Sequence, residues 1–269
     1  MPTDFSPAAD NAVNYAVELA NFFDAQLVLL HVYSLPSTGA DAGFSLNLYN
    51  AWRNESVNKL EEMKKNILQK NKKNLMIECV AEVGDVYAMI NSVSQKYNAD
   101  LIVMGIIGEA GKIKEHLIGS TAVKVARYIN IPSFIIPQYA KYHPIRSISF
   151  ACDMEKTEQT ALISMAKCFS RMFDAELEIV NVENPKEEFS YEKARTSVFI
   201  ESKLESIRHK IVYITDNKVA RTLEDYFENH PTNVIMLNPK KHNIFFRLFK
   251  ESVTNELAFH VNIPILAIH

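Results

Sequence analysis

Three glycines and two hydroxyl side chains in the first half of the chain have the types and spacing needed to hold a phosphate group. Gly105 and Gly108 follow a predicted β-strand, and Gly119 stands directly before Ser120 and Thr121 at the start of a predicted helix. Glycine lets the backbone approach phosphate oxygens closely. The free N–H groups and the dipole of a helix N-terminus favour an anion, and both hydroxyl groups can donate to it. The spacing therefore predicts a phosphate-binding loop.

Further candidates lie where other predicted strands end. Pro2, Thr3 and Asp4 follow the short first strand, Val32 lies at the end of the second, and Met104 ends the fourth. In an open parallel sheet, ligands bind beyond the carboxyl ends of the strands, where the strand order reverses. We therefore expect these residues near the glycine loop. Taken singly, each also fits a plain structural role, such as a turn for the glycines or a helix cap for Ser120.

Hydrophobic spacing predicts that strands and helices alternate along the chain. A helix is predicted to begin at Ser6 and Pro7, because serine caps free backbone donors and proline suits a first helical turn. Further elements of the first half are predicted as strands at 26–33, 76–83, 101–104 and 133–136, a helix after Asp85 and a helix at 120–129. Parallel strands need crossover connections, so the pattern predicts a doubly wound α/β fold with a parallel sheet.

The sequence repeats itself. Residues 22–27 (FFDAQL) recur as 172–177 (MFDAEL), 99–104 (ADLIVM) match 232–237 (TNVIML), and 128–132 (YINIP) match 260–264 (HVNIP). The landmarks keep the same order in both halves, which is the signature of an internal repeat. The repeat predicts two tandem units, at 1–138 and at 145–269.

Composition excludes several classes of partner. The 269 residues are 48% hydrophobic and 23% charged, with a net charge of −3, which is typical of a globular protein and gives no basic surface for nucleic acid. We expect no membrane span, no signal peptide and a cytoplasmic location. The sequence also lacks a P-loop, a nucleophile elbow and metal-ligand spacing, so neither a catalytic residue nor a metal site is predicted.

These motifs resemble the universal stress protein family, and specifically its tandem two-domain members. Members that bind ATP carry G-x2-G-x9-G-[ST] after the fourth strand, and this chain has Gly105, Gly108 and Gly119-Ser120 with the second gap one residue longer. The opening PTDFS and the strand-ending His31-Val32 are similar too. The resemblance implies an adenine nucleotide α-hydrolase-like fold with flavodoxin-like wrapping.

The resemblance also implies a ligand, namely ATP with magnesium or another adenine nucleotide. By resemblance, Asp4 faces the ribose or the adenine, and the backbone of Val32 brackets the adenine ring. The second unit departs from the motif, because Asn238, Lys241 and Glu251 stand where the first unit has its glycines. Glu251 would repel phosphate. The second unit is therefore predicted not to bind ATP. By resemblance to paired family members, it is expected to pack against the first unit through the last strand of each.

The resulting hypothesis is a stress-response regulatory protein that binds an adenine nucleotide in its first unit with little or no hydrolysis. The alternative is a nucleotide-free scaffold that acts through dimerisation and an unknown protein partner. A third hypothesis is an enzyme of the related hydrolase superfamily. Such enzymes carry a Ser-Gly-Gly phosphate loop after the first strand, but this chain has Asp4 to Pro7 at that place. Exposed strand edges predict a possible homodimer of tandem chains. Replacing Gly105 or Gly119 with a bulky residue is expected to abolish binding and leave the fold intact.

Overall fold

The computed structural model describes residues 1–34, 42–106, 120–152, 159–183, 185, 191–239 and 262–269. The elements of the first half are α1 (Pro7–Phe23), β1 (Leu27–Tyr33), α2 (Ala42–Lys70), β2 (Ile77–Val83), α3 (Val86–Lys96), β3 (Ile102–Ile106), α4 (Ser120–Tyr128) and β4 (Ser133–Pro137). Those of the second half are β5 (Ser147–Ala151), α5 (Gln159–Phe173), β6 (Glu176–Glu183), α6 (Tyr191–Leu204), β7 (His209–Thr215), α7 (Val219–Asn229), β8 (Val234–Leu237) and β9 (Ile265–Ala267).

Helix α1 forms where its sequence predicts it. Ser6 lies at the N-cap, where its hydroxyl accepts the N–H of Ala9 at 3.3 Å, and Pro7 occupies the first turn. The helix ends at Asp24, which adopts a left-handed φ of 52°. Its buried face packs against β1, β3 and β4, so that α1 covers the strands that end at the predicted site.

The α/β class and the parallel strands are confirmed. Strands β5 to β9 belong to a seven-stranded sheet with the order β3-β4-β9-β8-β5-β6-β7, in which the second half contributes β9-β8-β5-β6-β7. All neighbours in it are parallel except β4 and β9, which pair antiparallel from Ser133 with Ala267 to Ile135 with Ile265. The predicted contact between the last strands of the two units is therefore confirmed.

The sheet of the first half is divided. Strands β1 and β2 form a separate two-stranded parallel sheet, whereas β3 and β4 belong to the seven-stranded one. In the second half, β5 joins β6 to β8 at the centre of the sheet. The segment Met1–Thr3 takes the corresponding place in the first half, but it forms a single bridge, from Pro2 to Leu30 of β1. Among the described residues, the strands of the second half therefore form one continuous sheet, whereas those of the first half do not.

Two apolar clusters fill the two faces of these sheets. One includes side chains of α1, α5 and the facing strand residues, and Phe22 of α1 stacks on Phe173 of α5 at 5.4 Å. The other includes side chains of α3, α4 and α7. The halves therefore share a core, and the domain limits at 138 and 145 stay a prediction. Within the described residues no helix combines the length and the apolarity that a bilayer crossing requires.

Candidate functional site

The carboxyl ends of the first-half strands converge on the start of α1. The Thr3 carbonyl oxygen lies 2.8 Å from Nδ1 of His31, which links the end of the Met1–Thr3 segment to the end of β1. Asn11, in the second turn of α1, donates to the carbonyl oxygen of Pro137 at 3.0 Å, where β4 ends. This edge is the one at which a doubly wound sheet binds ligands.

The turn from Thr3 to Ser6 carries the acidic residue of the predicted site. The exposed Asp4 carboxylate accepts the Ser6 N–H through Oδ1 at 3.0 Å, and the buried Thr3 hydroxyl accepts the Phe5 N–H at 3.0 Å. Partial burial and then the Asp4 charge raise the pKa of Asp10 in α1. The edge is therefore acidic beside α1, which suits hydroxyl and amino donors such as those of a nucleoside.

Phe5 is held in a strained conformation at this edge. Its φ of 61° lies in the left-handed region, which non-glycine residues adopt at a cost and which recurs at functional sites. The Phe5 ring lies 4.6 Å from the His31 ring, and Nζ of Lys59 lies 5.8 Å from the Phe5 ring centre. Sequence reasoning singled out neither Phe5 nor Lys59, because Lys59 lies deep within α2 at no regular spacing from Asp4.

Gly105 touches α1 instead of leaving open space. A Cβ atom at Gly105 would lie 2.4 Å from the carbonyl oxygen of Ala8 and 3.0 Å from the backbone nitrogen of Ala9. Real Cβ atoms do not approach backbone that closely, so Gly105 is required for the packing of β3 against the first turn of α1. The expectation that a bulky residue at Gly105 leaves the fold intact is therefore wrong.

The other predicted residues are placed as follows. Val32 is half-buried near the end of β1, while the Met104 side chain is 6% exposed in the core, so its backbone alone can reach a ligand. Helix α4 begins at Ser120, as predicted, and Thr121 lies half-buried in its first turn. A helix between parallel strands runs back along the sheet, so the α4 N-terminus lies at the carboxyl edge. Gly108 and Gly119 lie outside the described residues.

Comparison with known proteins identifies the family. Residues 1–137 match the sequence model of the Universal stress protein family. The chain belongs to this family. Universal stress protein MJ0577 of Methanocaldococcus jannaschii is 29% identical over 148 residues, which span 50% of this chain and 91% of that protein. Universal stress protein MJ0531 of the same organism is 28% identical over 143 residues, spanning 52% of this chain and 82% of that protein.

Solved structures extend the likeness to the whole length of this family member. A universal stress protein of Archaeoglobus fulgidus superposes with a TM-score of 0.71 at 18% identity, covering 99% of this chain and 96% of the other. Protein PA1789 of Pseudomonas aeruginosa superposes with a TM-score of 0.61 at 11% identity, covering 95% and 86%. At these identities the likeness shows the fold, with its adenine nucleotide hydrolase-like arrangement of strands, and nothing about ligands.

The second half of this family member differs at the positions equivalent to the glycines. Asn238, which directly follows β8, is buried with 8% of its surface exposed. Lys241, Glu251 and Ser252 lie outside the described residues, as does Asp153, the equivalent of Asp4. That the second unit does not bind ATP stays a prediction.

Proposed function

We propose that this protein is a stress-response regulator that binds ATP, or another adenine nucleotide, in its first half. The observation that supports this best is the convergence of the Asp4 turn, the end of β1 and the α4 N-terminus on one edge of the fold. That edge lies within residues 1–137, the part that matches the family model.

Each part has a separate task in the proposed complex. The Asp4 carboxylate accepts hydrogen bonds from the ribose hydroxyls or the adenine amino group, and the Val32 backbone lies along the adenine. The α4 N-terminus, with the Ser120 and Thr121 backbone N–H groups, holds the phosphates. Magnesium enters as the ATP complex. Because N–H and hydroxyl donors bind phosphate without supplying a general base, little or no hydrolysis is proposed.

Titration calorimetry of ligand-stripped protein with magnesium ATP tests this proposal. We expect about one nucleotide per chain, and we expect Asp4→Asn to weaken binding by roughly tenfold or more, because a hydrogen bond to a charged group contributes about 1.5–3 kcal/mol. Asparagine retains an Oδ1 that can accept the Ser6 N–H, so the turn is preserved and the charge alone is removed.

Asp216→Asn is the matched control. Asp216 accepts the N–H of Lys218 at 2.8 Å, two residues along the chain as in the Asp4 turn, but it lies in the second half. This control is expected to keep full affinity. Equal affinity of Asp4→Asn and the unchanged protein would contradict the role of Asp4. No heat at millimolar ATP would contradict nucleotide binding altogether.

A second function, that of an interaction scaffold, is favoured by an exposed apolar surface in the second half. Val198 and Phe199 of α6 are 71% and 41% exposed, and Tyr213 of the outer strand β7 is 48% exposed. The hydroxyls of Ser197 and Tyr213 lie 2.8 Å apart, so α6 and β7 adjoin at this surface. Outer strands and exposed apolar patches both pair with other chains. A partner protein or a second copy of the chain is the proposed occupant.

A further inference from the structure

A cavity of about 790 Å³ lies between α1 and α2, and we call it the α1–α2 cavity. Its lining extends from Phe5 and Lys59, at the proposed nucleotide edge, to Asn71 after α2, and it includes Tyr142 from the segment that joins the two halves. The corresponding helices of the second half, α5 and α6, pack against each other. None of the described residues assigned to the nucleotide lines this cavity, so it is a separate site.

Carboxylate groups outnumber cations in this lining. The charged side chains of the α1–α2 cavity are Asp10, Glu18, Lys59, Glu62 and Lys70. Lys59 is already paired, because its Nζ lies 2.7 Å from the carboxylate of Glu55, which is outside the lining. Among the described residues, none of the three carboxylates in the lining forms an ion pair. The cavity is therefore suited to a cationic ligand.

A buried hydroxyl group points to the same kind of ligand. Tyr15 is 2% exposed and contributes to the lining, with its ring held at 5.0 Å from that of Tyr142 and 6.0 Å from that of Phe134. In the part of the chain that the structure describes, its hydroxyl makes no hydrogen bond, although buried polar groups generally do. Burial raises the pKa of Tyr15, so the hydroxyl stays neutral and can accept an N–H from a cation.

The spacing of these groups determines the shape of the cation. Asp10 and Glu18 are eight positions apart on α1, which is roughly 12 Å along a helix that rises about 1.5 Å per residue. The apolar side chains in the lining are Val13, Val17, Met63 and Ile67. Within the described residues, no three acidic, histidine or cysteine side chains converge to hold a metal ion. An extended cation with apolar segments between its charges therefore fits better than a compact one.

We propose that the α1–α2 cavity binds a linear aliphatic polyamine. Its ammonium groups donate to the carboxylates of Asp10, Glu18 and Glu62, and its methylene groups pack against the valine, methionine and isoleucine side chains of the lining. One ammonium N–H provides the hydrogen bond that the Tyr15 hydroxyl lacks. An extended triamine such as spermidine has charged ends far enough apart to meet Asp10 and Glu18 together.

The electrostatic environment supports this ligand at both ends of the cavity. Burial and then the Glu18 charge raise the pKa of Tyr142. Partial burial and then the Asp4 charge raise the pKa of Asp10. The second cause is in each case a negative potential, which a bound ammonium group would reduce.

The acceptor groups are particular to the first half. With the repeat aligned as above, Glu18 and Tyr15 correspond to Cys168 and Met165. Neither a thiol nor a thioether supplies a charged or strong acceptor for an ammonium group. The second half is therefore expected not to provide an equivalent site.

Titration calorimetry of the full chain with spermidine tests the proposal. The protein is free of nucleotide, because a polyamine also pairs with the phosphates of ATP, and the salt concentration is low, because salt screens exposed charges. We expect saturable binding, and we expect n-octylamine, which is of similar length but carries a single ammonium group, to bind about tenfold more weakly or worse. Equal affinity of the two amines, or no saturable heat at millimolar spermidine, would overturn the proposal.

Glu62→Gln and Glu61→Gln form a matched pair of variants on α2. Both remove one negative charge, but Glu61 lies outside the lining, with its carboxylate 4.0 Å from Nζ of Lys64. Glu62→Gln is expected to weaken spermidine binding by about fivefold, as for an exposed ion pair, and Glu61→Gln to leave it unchanged. Equal losses in the two variants would show that spermidine follows the net charge of the surface, and the assignment to the cavity would be wrong.

Tyr15→Phe removes the hydroxyl alone. Because this hydroxyl makes no hydrogen bond among the described residues, the melting temperature should stay the same or rise slightly. Spermidine binding should weaken by about tenfold, the effect of losing a hydrogen bond to a charged group. Unchanged affinity would contradict a ligand placed against Tyr15. A clearly lowered melting temperature would show that the hydroxyl is bonded within the protein, which would remove the observation that supports the ligand.

Discussion

Replacing Gly105 with alanine is expected to lower the free energy of unfolding by about 3 kcal/mol, the upper part of the range for overpacking. The new Cβ atom would lie 2.4 Å from the Ala8 carbonyl oxygen. Backbone cannot rotate away as a side chain can, so α1 has to shift from β3 as a unit. The measurement is the urea midpoint and slope of the variant against the unchanged protein.

Gly84→Ala is the control for this substitution. Gly84 has a φ of +142°, but a Cβ there would meet Met89 at an ordinary 3.6 Å. Gly84→Ala is therefore expected to lower the free energy of unfolding only through backbone strain, by about 1 kcal/mol or somewhat more. If Gly105→Ala were no more destabilising than Gly84→Ala, the close approach of α1 would not matter, and Gly105 could serve the phosphate loop alone. If Gly105→Ala is the more destabilising of the two, the displacement of α1 is sufficient to explain a loss of ATP binding in a Gly105 variant.

Removing the Glu178 carboxylate should destabilise the protein about as much as Gly105→Ala. Glu178 is 6% exposed and accepts hydrogen bonds from Ser149 and Tyr226 at 2.7 Å and from Lys210 at 2.6 Å. Glu178→Ala leaves both hydroxyls without their acceptor. Breaking a buried charge pair costs about 3–5 kcal/mol, and we expect the lower end because Lys210 is half exposed and can reach water.

The same carboxylate makes stability depend on pH. Burial alone would raise the pKa of Glu178, but the hydrogen bonds from Lys210, Tyr226 and Ser149 outweigh it and lower this pKa below its ordinary value of 4.5. A lowered pKa in the folded state contributes stability above the unfolded value, and this contribution is lost as the pH falls below 4.5. Glu178→Gln should therefore flatten the acid limb of a plot of stability against pH.

Glu183→Gln, on the same strand, is the matched control. Its carboxylate accepts a long hydrogen bond of 3.4 Å from Asn181 and is half-buried. We expect a change of roughly 0.5 kcal/mol or less, as for most substitutions away from buried networks. An acid limb of equal slope in Glu178→Gln and the unchanged protein would show that Glu178 does not govern acid stability.

Local sequence was sufficient to predict those helices and strands whose limits are decided by a few neighbouring residues. Ser6 and Pro7 start α1, Asp85 caps α3, and apolar runs become strands within a few residues of the predicted limits. Capping and hydrophobic periodicity act over one or two turns, so they are visible in the sequence itself. The resemblance to paired family members added a longer-range prediction, the contact between the last strands of the two units, which is the contact of β4 with β9.

Parts of the candidate site could be predicted for the same reason. Strand ends bind ligands in this fold class, so Thr3, Asp4 and Val32 were assigned to one edge, and the structure places Thr3 and Asp4 in the turn that faces His31 of β1. Phe5 and Lys59 were not predicted. Their contact joins a left-handed turn residue to the middle of a long helix, and no local pattern connects two such positions.

What the sequence by itself determined is the family, the α/β class, the repeat and the order of the elements. Tertiary structure alone decided that Gly105 contacts Ala8 and that Glu178 is bonded by three elements. Propensity and periodicity are properties of neighbouring residues. Close approach, buried networks and cavities depend on the distances between segments far apart in the chain, which packing fixes when the whole chain folds.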